Sequence, residues 1–223
     1  PYRGKGRFCP VCGKPSSHFR QFGTDPRDDA ECAHCGSLER HRFVWLFLQE
    51  NTDFFDGKPK KMLHVAPERC FEPRFKKQMR DGYLTADLLN PNAMVKMDIA
   101  DIQYPDQTFD IIFCSHVLEH VPDDKKAMRE FFRVLKNDGW AILLVPITRQ
   151  KTYEDSSIID PKERFRAFGQ EDHVRAYGPD YVHRLQNAGF TVEIFQVNNL
   201  VSDSAAVKMG LVSSVGNIYY CTK

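Results

Sequence analysis

Phe109-Asp110-Ile111-Ile112-Phe113-Cys114-Ser115-His116-Val117-Leu118-Glu119-His120-Val121 is the stretch on which the reading of this chain turns. It opens as a short apolar run rich in β-branched and aromatic side chains, the composition of a buried strand, and then passes into polar residues. Comparable runs lie on both sides. Upstream are Met62-Leu63-His64-Val65-Ala66, Tyr83-Leu84-Thr85-Ala86-Asp87 and Ala93-Met94-Val95-Lys96-Met97-Asp98; downstream are Trp140 to Pro146, Thr191 to Val197 and Asn217 to Cys221. Amphipathic stretches separate them. Phe71 to Arg80 is one; Asp123 to Lys136, with apolar Ala127, Met128, Phe131, Phe132 and Leu135, is a second and ends at an Asn137-Asp138-Gly139 turn. Tyr181 to Ala188 is a third and stops at Gly189. Seven strands alternating with helices predict an α/β fold: a doubly wound, mostly parallel, Rossmann-like sheet whose last two strands form an antiparallel pair at the edge.

The N-terminus reads differently. Cys9-Pro10-Val11-Cys12-Gly13 and Cys32-Ala33-His34-Cys35-Gly36 repeat one pattern, with nineteen residues between Cys12 and Cys32. Two thiolates three positions apart grip one metal from a tight turn, and the glycine after each pair permits the backbone conformation that aims amides at sulfur. The spacing predicts a four-cysteine zinc ribbon with Cys9, Cys12, Cys32 and Cys35 as ligands and His18, His34 and His41 in reserve. Four sulfurs make a closed structural Zn2+ site, the metal replacing a core that so short a segment cannot build. The expected division is a ribbon module with the start of a linking helix over 1–44 and a main domain over 45–223. Ser37 reads as the N-cap of that helix, which continues through Phe43-Val44-Trp45-Leu46-Phe47-Leu48. The Arg40-His41-Arg42 cluster suits a phosphate or substrate, and equally a solvated helix face or a bridge to nearby acids.

Composition narrows the classes. The chain has 223 residues, 42% of them hydrophobic, enough for one sizeable core and a small appendage. Lys and Arg total 31 against 30 Asp and Glu, so charge selects no nucleic-acid partner. Apolar runs such as Ala141 to Ile147 fall far short of the ~18 residues a membrane span needs. No secretory signal is seen, and seven cysteines, four in Cys-x-x-Cys units, suit a reducing compartment, so the cytoplasm is expected.

In such sheets ligands sit outside the carboxyl ends of the strands. Asp87 closes the second strand nineteen positions after Glu68, near the ~20 expected for a carboxylate that accepts ribose hydroxyls, although a turn cap is the plain alternative. Asp98-Ile99 ends the third, where a carboxylate can accept from an exocyclic amine while its aliphatic neighbour packs on a purine. Here the sequence resembles the class I S-adenosylmethionine-dependent methyltransferases, in particular the group with Leu-Glu-His after the fourth strand. The likeness runs through Phe109 to Val121 and Phe132-Arg133-Val134-Leu135-Lys136-Asn137-Asp138-Gly139-Trp140, and covers roughly 60–223. It implies that Asp87, with Leu88 beside it, holds the ribose of S-adenosylmethionine, that Asp98 and Ile99 hold the adenine, and that Ser115 and His116 line the cofactor pocket. Asp172-His173-Val174-Arg175-Ala176-Tyr177-Gly178 resembles a segment found in a zinc-ribbon subgroup of these enzymes.

One motif departs. Where the family has a glycine-rich first turn, this chain has His64-Val65-Ala66-Pro67-Glu68-Arg69-Cys70. Ala66 and Pro67 would form a stiffer bend and Glu68 would pair with the α-ammonium of the cofactor; the rival inference is lost cofactor binding. Methyl transfer is an in-line displacement, so the protein chiefly aligns the reactants, with a general base when the acceptor is a hydroxyl or protonated amine. His116 and His173 are the candidate bases, and His120 reads as structural. Arg149, Asp172, Arg175 and Tyr177 are candidate substrate residues, the arginines suiting a carboxylate or phosphate and equally a surface ion pair. Cys70, Cys114 and Cys221 read as packing residues.

Three functions compete: a methyltransferase for a small-molecule or glycan-related acceptor, an RNA methyltransferase whose ribbon grips nucleic acid, and a non-catalytic binding protein. The first is preferred to the second because 1–44 holds eight Lys or Arg against five Asp or Glu, without the aromatic-interleaved basic stripe of a single-strand binder.

Overall fold

The computed structural model describes residues 2–23, 26–211 and 215–223. The chain divides into two compact units, one of 1–59, 68–80 and 195–217, the other of 60–67, 81–194 and 218–223.

The second unit carries a seven-stranded sheet, labelled here in chain order: β1 Met62–Val65, β2 Tyr83–Asp87, β3 Val95–Lys96, β4 Phe109–Ser115, β5 Leu135–Leu144, β6 Thr191–Phe195 and β7 Ile218–Thr222. The spatial order is β6-β7-β5-β4-β1-β2-β3. Neighbours from β5 to β3 are parallel, whereas β7 runs antiparallel to β5. This is the expected doubly wound, mostly parallel sheet. The last two strands lie side by side at one edge of the sheet, as expected, with β6 outermost and β7 between it and β5. Chain order reverses between β1 and β4, which makes their carboxyl ends the switch point where ligands bind in such sheets. Every residue of β1 is buried, and His64 inside it is satisfied by the Tyr83 hydroxyl at 2.7 Å.

Between β4 and β5 lies the helix Asp124–Val134, capped where the Asp123 carboxylate accepts from the Lys126 amide. Its buried face is Ala127, Met128, Phe131 and Val134, a helical spacing of apolar residues. The Asn137-Asp138-Gly139 turn does not separate helix from strand. Phe109 pairs with Leu135 and Ile111 with Trp140, so the three residues are absorbed as a bulge within β5. Gly139 permits this: a Cβ there would stand 2.7 Å from the Asp110 carbonyl oxygen.

The first unit contains two antiparallel ribbons, Arg7–Cys9 with Lys14–Ser16 and Arg20–Phe22 with Arg27–Glu31, followed by the helix Glu39–Glu50. Leu38 rather than Ser37 takes the N-cap place of that helix, its amide donating to His41 Nδ1 at 2.9 Å. Trp45 stacks with Phe71 and Phe75 from the helix segment 71–79. At the centre is Arg42, which is fully buried. Its guanidinium donates to the carbonyls of Ala30 (2.9 Å), Ser37 (2.8 Å), Met209 (2.6 Å) and Gly210 (3.0 Å) and lies 4.2 Å from the Phe19 ring centroid. Of the two readings left open for the basic cluster, Arg42 therefore takes neither: it joins the ribbon to residues 209–210. No helix of the described residues is long and apolar enough to cross a membrane.

Two substitutions test these contacts. Gly139→Ala should lower the unfolding free energy by ~1–3 kcal/mol through overpacking against Asp110, measured by urea denaturation. Arg42→Met removes four hydrogen bonds to buried carbonyls, of which Ser37 keeps a second donor in the Cys32 amide, and should cost at least ~3 kcal/mol, while Arg42→Lys, a point charge without the planar fork, should recover less than half of the loss.

Candidate active site

Four strands of the second unit end in the residues singled out from sequence. Beyond β1, Ala66 has φ 47°, and beyond β4, His116 has φ 56°. This left-handed region costs a residue with a Cβ ~1–2 kcal/mol, and here it is held by sheet hydrogen bonds: Ala66 N–H donates to Ala86 (2.8 Å) and His116 N–H to Leu144 (2.9 Å). Ala66 thus adopts a conformation that glycine adopts freely, and the bend forms without a glycine. Asp87, at the end of β2, accepts through Oδ1 from the amides of Leu89 and Asn90, both at 2.8 Å. Asp98 likewise accepts from Ala100 at 2.8 Å. Each carboxylate caps its own turn with one oxygen. Leu88 is exposed and Ile99 buried. Ser115 is buried, and its hydroxyl has no hydrogen-bond partner among the described residues. Such an orphan at a strand end is an open polar valence facing the switch point. Glu68 belongs to the first unit, where its Oε1 lies 3.7 Å from His41 Nε2, the bridge to a nearby acid that was one of the readings of the Arg40-His41-Arg42 cluster.

After β4 the Leu-Glu-His turn folds against residues 172–177. The Val174 amide donates to the Glu119 carbonyl at 2.9 Å. Arg175 donates to the carbonyls of Leu118 (2.7 Å), Val121 and Pro122 (2.8 Å), and Tyr177 donates to Asp124 at 2.6 Å. Arg184 and Glu154 complete the cluster: Arg184 pairs with Asp124 and Glu154, each at 2.9 Å, and Arg175 pairs with Glu154 at 3.1 Å. Arg175 is 3% and Tyr177 0% exposed. Sequence reading offered both as substrate residues, with an ion pair as the equal alternative for Arg175; buried, with their polar atoms on protein partners, they hold the turn, and Arg175 takes an ion pair with Glu154. Arg149 remains exposed and donates to the Ala167 carbonyl at 2.8 Å, and Asp172 is exposed with Oδ2 3.1 Å from His120 Nδ1.

Four candidate side chains lie on or beside the clamped turn. His116 is half-buried, its Nδ1 3.4 Å from Oε1 of the buried Glu119. His120 and His173 meet edge to face with centroids 4.6 Å apart. Burial holds the His173 imidazole below its ordinary pKa, and its Nδ1 faces the Phe168 carbonyl at 3.3 Å. Asp124, Arg184 and Glu119 carry this arrangement, and sequence reading assigned a role to none of them.

In the first unit the sulfurs of Cys9, Cys12, Cys32 and Cys35 all lie within 4.8 Å of one another. Two pairs are separated by 3.7 and 3.8 Å, close to the ~3.8 Å between ligands of a tetrahedral ion with metal–sulfur bonds of ~2.3 Å. Gly13 and Gly36, at φ 69° and 71°, return their amides to the carbonyls of Cys9 and Cys32. The donor set fits a four-coordinate thiophilic metal.

Residues 61–143 match the family model described as a methyltransferase domain. Over 111 residues the chain is 29% identical to 2-methyl-6-phytyl-1,4-hydroquinone methyltransferase 1 of Oryza sativa subsp. japonica, covering 45% of this chain and 34% of the relative. Over 128 residues it is 33% identical to ajmaline N-methyltransferase of Rauvolfia serpentina, covering 53% and 44%. The matches therefore span less than half of either relative. Among solved structures, an S-adenosylmethionine dependent methyltransferase from Mesorhizobium loti superimposes with a TM-score of 0.56 at 12% identity, over 81% of this chain and 98% of that one, a likeness of fold.

The clamp also predicts a pH signature. Hydrogen bonds from Arg184, then Arg175, depress the Glu154 carboxyl to about 2 from an ordinary value of 4.5. A depressed carboxyl stabilises the fold fully above its unfolded value and loses that contribution as pH falls through the folded one. The stability gap between wild type and Glu154→Gln in urea denaturation should thus be constant above about pH 5 and close between about 4.5 and 2.

Proposed function

We propose, from the premise that residues 61–143 form a methyltransferase domain, that this domain binds S-adenosylmethionine across the ends of β1 to β4 and methylates a small-molecule or glycan-related acceptor. The observation that carries the reading is the row of strand ends at the switch point: Ala66 and His116 held in left-handed turns on adjacent strands, with Asp87 and Asp98 ending the next two. In this reading Asp87, beside Leu88, accepts from the ribose hydroxyls, Asp98 accepts from the adenine amine beside Ile99, and the Ser115 hydroxyl and the bend at Ala66 and Pro67 receive the amino-acid end. S-adenosylmethionine, when bound, supplies an electrophilic methyl group. The chain's task is alignment and proton removal. His116 is the base: Glu119 Oε1 at 3.4 Å orients its Nδ1–H and leaves Nε2 to take the acceptor proton. His173, more deeply buried than His116, packs edge to face on His120, and in this reading exposed Arg149 and Asp172 border the acceptor side. The relatives' names, a hydroquinone and ajmaline methyltransferase, support a small acceptor. Cys9, Cys12, Cys32 and Cys35 hold a structural Zn2+.

Calorimetry with S-adenosylhomocysteine tests the reading. The wild type should bind with micromolar affinity and Asp87→Ala at least ~10-fold more weakly, about 1.4 kcal/mol, whereas His173→Ala should bind as the wild type does. No heat of binding to the metal-replete wild type would end it.

A further inference from the structure

Glu119, His120 and His173 are placed for more than packing. One ligand atom from each lies within 4.8 Å of the other two. Three donors on a single divalent ion at ~2.0–2.2 Å stand no more than about 4.4 Å apart, so a shift of a few tenths of an ångström closes the set. Glu119 is 1% exposed, yet its Oε2 has no hydrogen-bond partner among the described residues. A buried carboxylate oxygen with nothing to accept from is costly unless a cation or donor completes it.

The imidazoles are prepared in the same sense. His120 Nδ1 faces the Asp172 carboxylate at 3.1 Å and His173 Nδ1 faces the Phe168 carbonyl at 3.3 Å. Both partners only accept, so each ring carries its proton on Nδ1 and presents the Nε2 lone pair. Outer carboxylate and carbonyl groups fix metal-binding histidines in this way. The Val174 amide bond to the Glu119 carbonyl, with Arg175 clamping the same turn, holds His173 in place across more than fifty residues of chain.

We propose that Glu119, His120 and His173 form a second metal site, taking a divalent ion of borderline character such as Zn2+, Co2+ or Mn2+, with coordination positions left open. Its role rests on the methyltransferase reading: the ion takes an oxygen of a hydroxyl acceptor and lowers its pKa, the O–H bond breaks, and the proton passes to His116 Nε2 to give an imidazolium. Glu119 then serves both partners, Oε1 orienting His116 and Oε2 binding the ion. The site assigns an oxygen acceptor to the enzyme.

Metal content of the intact chain tests it. After saturation with Co2+ and removal of free ion, the wild type should retain two equivalents. One should show the thiolate-to-cobalt charge-transfer band of the ribbon, and the other visible d–d absorption without it. His120→Ala and His173→Ala should each fall to one equivalent and keep the thiolate band, which also reports that the ribbon has folded. One equivalent in the wild type, or two in either variant, overturns the proposal. S-adenosylhomocysteine binding measured on the same samples separates the two ideas, since loss of that binding in the wild type ends the methyltransferase reading whatever the metal count.

Discussion

The guanidinium of Arg175 donates to three carbonyls of the Leu118 to Pro122 turn, and the placement of every candidate catalytic side chain follows from that contact. A turn at the end of a strand leaves carbonyls exposed and is free to take several conformations. Here it is neutralised by a buried fork that is itself neutralised by Glu154 and Asp124, while Tyr177 and Arg184 anchor Asp124. The cluster stacks two arginines against two acids around one tyrosine, so removing any member leaves a buried charge without its complement. The rigidity of this buried cluster is passed to the turn that carries Glu119 and His120 and to the neighbouring His173.

The same economy appears in the first turn. A bend of this kind is often built with glycine; this chain uses Ala66 in a left-handed conformation held by the Ala86 carbonyl. The cost of the Cβ is met by the sheet, and the residue after it, Pro67, has one backbone angle already fixed. A glycine-free sequence and a left-handed bend are therefore compatible, because the conformation is imposed by β2 rather than supplied by local freedom.

What could be read from sequence was what is local or periodic. The alternation of apolar runs located all seven strands and their polar ends, and the doubled Cys-x-x-Cys-Gly pattern located four sulfurs that the fold gathers. Charged and aromatic residues in the long connection were read by type, as surface groups facing a substrate, and that failed for Arg175 and Tyr177. Their partners Leu118 and Asp124 are 57 and 53 residues away, and no spacing rule reaches so far. Arg42 is hidden for the same reason, since a buried arginine is satisfied by carbonyls, which every residue has and no sequence advertises. The unpaired oxygen of Glu119 is likewise a property of three-dimensional neighbourhood, invisible in a Leu-Glu-His tripeptide.

The long reach of Arg42 has a consequence for biosynthesis. Its acceptors at Met209 and Gly210 are separated from it by 167 and 168 residues, with most of the sheet unit encoded in between. At a ribosomal pace of ~5–20 residues per second, the arginine waits roughly ten to thirty seconds for its last two carbonyls to be made. During that interval the nascent ribbon carries a guanidinium destined for the interior but not yet housed. The ribbon is thus made early and matures late, its packing around Arg42 closing only after residues 209–210 have followed the sheet unit.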